Sequence, residues 1–249
     1  MHIKIVKNYT ELSRTAGQII AQLLREKPRC NLGLATGGTP LGTYQYLVER
    51  FKAGDFSMRD VCTFNLDEYC NLPRSHPESY YNFMYSNLFE HVDLRAENMH
   101  IPYTEGTDLQ EQCHQYNALL SSHRVDLQLL GIGSNGHIGF CEPGTPFDQE
   151  TFIAQLSEET RQDNQRFFNS LDEVPTTAIT MGIGNIMQAR SVLLIASGES
   201  KAACINKMIN GPVTEAVPAS ILQKHPDATI IIDEAAASLL TGAAAERVS

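Results

Sequence analysis

The sequence predicts an α/β protein: a modified doubly wound, mostly parallel sheet with helices on both faces, formed by residues 1–249 as one domain. Three observations predict it. Seven short β-rich runs alternate with helical patterns along the chain, the arrangement expected of strands joined by crossover helices. Apolar runs stop in glycine-rich turns, as strands do where an α/β sheet presents its loops. No internal repeat, low-complexity tract or linker divides the chain.

His2 to Val6 is the first strand. Leu12, Ala16, Ile19, Ile20, Leu23 and Leu24 then recur at helical spacing, and Pro28 ends that helix. Cys30 to Ala35 forms the second strand and runs into the turn Thr36-Gly37-Gly38-Thr39. Thr39 suits an N-cap and Pro40 a first helical position, before the apolar helix face of Tyr44, Leu47, Val48 and Phe51. Val61 to Leu66, Val125 to Ile132, Ala178 to Gly182, Ser191 to Ala196 and Ala228 to Ile232 supply the remaining strands. Residues 143–175 show no sustained period; they are expected to form either a lid beside the loop before them or a surface helix and loop without a gating role.

The 249 residues suffice for a full core, and 42% apolar with 19% charged residues is an ordinary globular balance. A net charge of −10 argues against nucleic acid as a partner, while leaving room for a small anion held by backbone amides. Six cysteines without C-x-x-C or zinc-like spacing read as free thiols in a reducing compartment. The N-terminus has no signal-peptide apolar stretch and no segment is long and apolar enough for a membrane span, so a cytoplasmic location is expected.

Three segments carry chemistry. In LATGGTPL the bare amides of Thr36, Gly37, Gly38 and Thr39 and the positive end of the next helix make an anion site suited to phosphate; the alternative is a tight turn without ligand. In TFNLDEY, Asp67 and Glu68 follow a strand directly, so one of them is placed to be a general base, or else both are turn groups. In LGIGSNGHIGFCEPG, His137 titrates near neutrality, and Asn135 and Glu142 can orient its ring. Gly131, Gly133 and Gly136 also match G-x-G-x-x-G, but Pro143 and Pro146 follow where that dinucleotide fingerprint needs a helix. There is no H-E-x-x-H, G-x-S-x-G or Walker-type loop, and no metal site is compelled. An anion loop, a carboxylate and a histidine point to proton transfer on a phosphorylated metabolite.

Together, LGLATGGTPLGTYQYL, TFNLDEYCNLPRSHPESYYNFM and LGIGSNGHIGFCEPG, with RFF at 166–168 and GESK at 198–201, resemble the glucosamine-6-phosphate deaminases of the glucosamine/galactosamine-6-phosphate isomerase family. The resemblance spans nearly the whole chain. It implies conversion of glucosamine 6-phosphate and water to fructose 6-phosphate and ammonia, with no metal or organic cofactor. By the same resemblance Asp67 is the base that moves a proton between C2 and C1, His137 opens the pyranose ring, and Asn135 and Glu142 assist it. Thr36, Gly37, Gly38, Thr39, Arg166 and Lys201 match the phosphate-binding groups.

Two positions depart from the pattern. Asn135 stands where some members have Asp, and it can orient His137 but supplies no negative charge. Phe152 and Ala154 stand where regulated members carry cations for the activator N-acetylglucosamine 6-phosphate, which implies hyperbolic kinetics here. Alternatives are a galactosamine 6-phosphate enzyme, a 6-phosphogluconolactonase and a non-catalytic sugar-phosphate sensor.

Overall fold

The computed structural model describes residues 1–105, 108–240 and 246–247. Its main sheet is parallel throughout, with strands β1 (His2–Val6), β2 (Asn31–Leu34), β3 (Cys62–Asn65), β5 (Met99–His100), β6 (Leu127–Leu130), β9 (Ser191–Ala196), β10 (Ala228–Asp233) and β11 (Glu246–Arg247). The order is β11-β1-β10-β9-β6-β2-β3-β5. Six of the seven predicted strands are in it, most within a residue or two of their expected bounds.

The seventh is a correction. Ala178 to Gly182 was expected in the parallel sheet, but β8 (Thr177–Thr180) lies between β4 (Asp67–Tyr69) and β7 (Phe152–Gln155) in a separate antiparallel sheet of three strands. A short apolar run carries no record of its partner or direction, so pattern alone could not separate the two cases. Likewise the 143–175 segment is not shapeless. It contains β7, helix α5 (Glu158–Asn164) capped by Ser157, and a 3-10 turn at Gln165–Phe167. Each piece is too short to register as a sustained period.

Around the sheet lie α1 (Tyr9–Glu26), α2 (Leu41–Lys52), α3 (Tyr80–Asn87), α4 (Leu109–Ser122), α6 (Ile183–Met187) and α7 (Ala202–Asn210). Helix α1 starts where the Asn8 side chain accepts the Glu11 amide. Pro40, not Thr39, occupies the cap position of α2, and no side chain caps that helix. Central strands are buried from end to end, as β9 is from Val192 to Ala196, because a parallel sheet is covered on both faces.

Topology fixes where a ligand fits. From β2 the chain passes through α2 to its neighbour β3, whereas from β6 it reaches the neighbour on the other side, β9. The loops leaving β2 and β6 therefore part company, and a crevice opens between the carboxyl ends of those two strands.

Candidate active site

A cleft of about 500 Å³ lies at that crevice, within the size range of small-molecule sites. It brings together Thr36, Gly37, Gly38 and Thr39 after β2, Asp67 beyond β3, Gly133 and His137 after β6, Arg166 beyond α5, and Lys201 after β9. Of the catalytic and phosphate-binding residues that the resemblance implies, Asn135 and Glu142 alone do not line it, and both stand directly behind His137; Glu68, the other candidate base, does not line it either.

Asp67 owes its position to a change of sheet. Leu66 is the hinge: its amide donates to Leu34 O of the parallel sheet at 3.2 Å, and its carbonyl accepts from Met181 N at 2.6 Å. Asp67 is thus the first residue of β4 and is buried. Burial and the neighbouring charge of Glu68 push its carboxyl up to about 8.

Glu68 has a different task. Its Oε1 accepts the amides of Tyr69 and Tyr80, both at 2.9 Å, and its Oε2 accepts that of Tyr81 at 2.8 Å. Burial raises its pKa, and these bonds oppose the shift. The bonds from Tyr80 and Tyr81 anchor the start of α3 to β4, and Tyr80 lines the cleft. Glu68→Gln puts an amino group against a backbone donor, so chemical denaturation is expected to show a loss of about 1–3 kcal/mol. Unchanged stability would show that these bonds do not hold α3.

The loop after β6 holds the histidine. A Cβ on Gly133 would fall 2.1 Å from His137 Cε1, so only glycine lets the ring lie against the strand end. His137 Nδ1 is 2.8 Å from Asn135 Oδ1, and Asn135 Nδ2 donates to Glu142 Oε2 at 2.9 Å. Because a carboxylate only accepts, the Asn135 amide is oriented, Nδ1 of a neutral His137 carries the proton, and Nε2 keeps its lone pair. Burial lowers the His137 pKa despite the nearby charge of Glu142. For Glu142, burial alone would raise the pKa; the Thr160 hydroxyl, the charge of His137 and bonds from Asn135 and Ser157 bring it below the ordinary carboxylate value. Near neutrality the pair is therefore a carboxylate and a neutral imidazole.

The cleft also joins the β2 turn to two cations. Gly37, at φ +99°, takes a conformation that side chains oppose, and Arg166 Nη2 comes to 3.8 Å from where a Cβ of Gly38 would stand. Tyr9 clamps the turn: its hydroxyl is 3.2 Å from Gly38 O and 3.1 Å from Thr39 O, and it accepts Gly42 N at 2.9 Å. Lys201 follows a turn fixed by Asp233, whose carboxylate accepts the Gly198 amide at 3.0 Å. Burial lowers the Lys201 pKa.

Tyr9, Tyr80, Thr160 and Asp163 are among the cleft residues to which the sequence assigned no role. Ser157 as an N-cap followed by Glu158 and Glu159 is the helix-start signal of α5. Tyr9 and Tyr80 belong to helices whose facing direction only the assembled sheet decides. Among the described residues, all six cysteines are free and no helix is long and apolar enough to cross a membrane.

Comparison with known proteins agrees with this layout. A curated glucosamine-6-phosphate deaminase from Thermoanaerobacter pseudethanolicus is 48% identical over 241 residues, 96% of this chain and 95% of that one. A second, from Lysinibacillus sphaericus, is 51% identical over 227 residues, 91% and 96% of the two chains. A solved structure of a monomeric glucosamine-6-phosphate deaminase superposes with a TM-score of 0.94 at 44% identity, covering 96% of this chain and all 100% of the other. Residues 7–231 match the family described as glucosamine-6-phosphate isomerases/6-phosphogluconolactonase, and with relatives of this identity and coverage the chain belongs to that family.

Proposed function

We propose that this chain deaminates and isomerises glucosamine 6-phosphate to fructose 6-phosphate, with release of ammonia. One observation carries the reading: a buried carboxylate with a raised pKa and a neutral, oriented histidine share a single cleft with an anion-binding turn. Relatives with 48% and 51% identity bear the name of that activity.

The phosphate is held by the amides of Thr36 to Thr39 with Arg166 and Lys201, and this remote contact aligns C1 and C2 with the acid/base groups. His137 Nε2 accepts the O1 proton and returns it to O5, so the C1–O5 bond breaks and the C1 carbonyl forms. The C2 proton is now acidic. Asp67, its pKa lowered by the C2 ammonium of the substrate, removes that proton; the ammonium gives a proton to O1 to leave the neutral enolamine, and Asp67 then delivers its proton to C1. The resulting C2 imine adds water, and ammonia leaves with the ketose phosphate behind.

Asn135 is a relay by orientation, since it cannot pass a proton on. Asn135→Asp sets a second carboxylate beside Glu142 Oε2, where Nδ2 now stands at 2.9 Å. The added negative charge favours the imidazolium, so the acid limb of kcat, measured where the bound ammonium has lowered Asp67, is expected to move to higher pH by about one unit with activity retained. An unchanged profile would remove the charge account.

The test of the whole reading is quantitation of ammonia and fructose 6-phosphate from glucosamine 6-phosphate, in chelator, with galactosamine 6-phosphate alongside. Equal yields of both products support it. A wild-type protein that releases no ammonia from either sugar overturns it.

A further inference from the structure

Glu142 lies outside the cleft lining, yet its carboxylate is fully engaged, and three of its four donors come from one short segment. Ser157 N and Oγ approach Oε1 at 3.2 and 3.0 Å, and Thr160 Oγ1 donates to the same oxygen at 2.5 Å. Asn135 Nδ2 takes Oε2. Thr160 Oγ1 is also 3.5 Å from His137 Nδ1 and 3.0 Å from Ser157 Oγ. One hydroxyl thus touches the carboxylate, the imidazole and the helix cap at once, and Thr160 is 2% exposed.

The same segment bears the phosphate arm. Helix α5 continues without a break into the turn carrying Arg166 and Phe167, both at the cleft. On the near side of α5, Glu159 and Asp163 come within 3.1 and 2.8 Å of Ser134 Oγ, so the helix is seated on the catalytic loop at two successive points.

We infer that Thr160 is a positioning residue through which the segment bearing Arg166 holds Glu142, and hence His137, in the geometry needed for ring opening. The inference rests on the assignment of His137 and Glu142 to that step. The Thr160 hydroxyl keeps the carboxylate charged, and a charged Glu142 keeps Nδ1 of His137 as the protonated nitrogen. Deletion of the hydroxyl therefore acts on proton transfer between O1 and O5 and leaves enolisation at Asp67 intact. The charged and titratable groups facing His137 are Glu142 from its own loop, Glu159 and Asp163 from α5, and Lys201 from the turn after β9. All four remain in a Thr160 variant, so a changed pH profile reports the missing bond.

Thr160→Val preserves shape and removes the bond, and Thr160→Ser restores it. The expected result for Thr160→Val is a fall of about ten- to a hundredfold in kcat on glucosamine 6-phosphate with little change in KM. Its acid limb should move to higher pH, and Thr160→Ser should recover most of the rate. Solvent deuterium incorporation at C1 of fructose 6-phosphate in the presence of ammonia, which bypasses pyranose opening, should stay near wild type. Equal loss in both assays, or Thr160→Val kinetics matching wild type, overturns the inference. NMR titration of the Glu142 carboxyl in the resting protein separates the two layers of reasoning. A raised pKa in Thr160→Val upholds the latch even if wild type releases no ammonia, which would instead remove the proposed activity; an unmoved pKa rejects the latch whatever the turnover.

Discussion

Asp67→Asn is expected to abolish most turnover while making the protein more stable at neutral pH. Asparagine matches the carboxyl in shape but cannot accept the C2 proton, and loss of a positioned base of this kind removes about 10² to 10⁴ in rate. The stability gain follows from the same burial. A carboxyl raised from 3.8 to about 8 is favourable to the fold while protonated, below its unfolded value, and that contribution is lost as pH rises through the folded value. Wild type should therefore weaken between pH 4 and pH 8 relative to Asp67→Asn. Each pH unit across that window is worth about 1.4 kcal/mol, which sets an upper bound on the order of 5 kcal/mol. Thermal melts of both proteins at pH 5, 7 and 8.5 read this directly. A gap that does not widen with pH would show that Asp67 is not held as a costly charge.

The kinetic counterpart has the same origin. If Asp67 must be ionised in the free enzyme, kcat/KM climbs with pH toward a plateau above about 8. A profile flat from pH 6 to 9 would contradict that role. A residue that destabilises the fold in its working state is what a site built for a base entails.

How much of this was legible in the sequence varies by physical cause. Strands such as Ser191 to Ala196 were readable because a buried parallel strand must be apolar along its length. The site loops were readable because glycine turns after such strands leave bare amides at the sheet's carboxyl edge, and Gly133 must yield its side-chain space to His137. The second sheet was not legible: β4 and β8 are three and four residues long, and their pairing joins positions more than a hundred residues apart. Asp67 could be singled out, but its burial depends on the turn at Leu66 into that sheet. Glu68 illustrates the limit from the other side. Adjacent in sequence to Asp67 and of the same chemistry, it differs only because three amides reach it. Thr160 was invisible for a related reason, since a threonine in a polar helix start gains its meaning from the loop it touches.

His137→Gln is expected to produce a defect of similar size, confined to one direction of entry. Glutamine retains hydrogen-bonding capacity but cannot shuttle a proton between O1 and O5, so turnover of the pyranose should fall by about 10² to 10⁴. The open-chain product form needs no such step. With ammonia present, fructose 6-phosphate forms the C2 imine, and Asp67 can then remove a C1 proton and exchange it with solvent. Deuterium should therefore still enter C1 in His137→Gln and fail to enter in Asp67→Asn. The prediction depends on distinct places for the two groups: His137 is fixed from behind by Asn135 at 2.8 Å, while Asp67 is fixed by β4. Removal of the ring leaves Glu142 with its bonds to Ser157 and Thr160 and does not disturb the strand that carries the base. If His137→Gln loses exchange as completely as Asp67→Asn, the histidine takes part in enolisation itself, and the division of labour between the two loops is wrong. If it retains exchange and loses only aldose turnover, ring opening and proton transfer at C2 are separable steps served by separate strand ends.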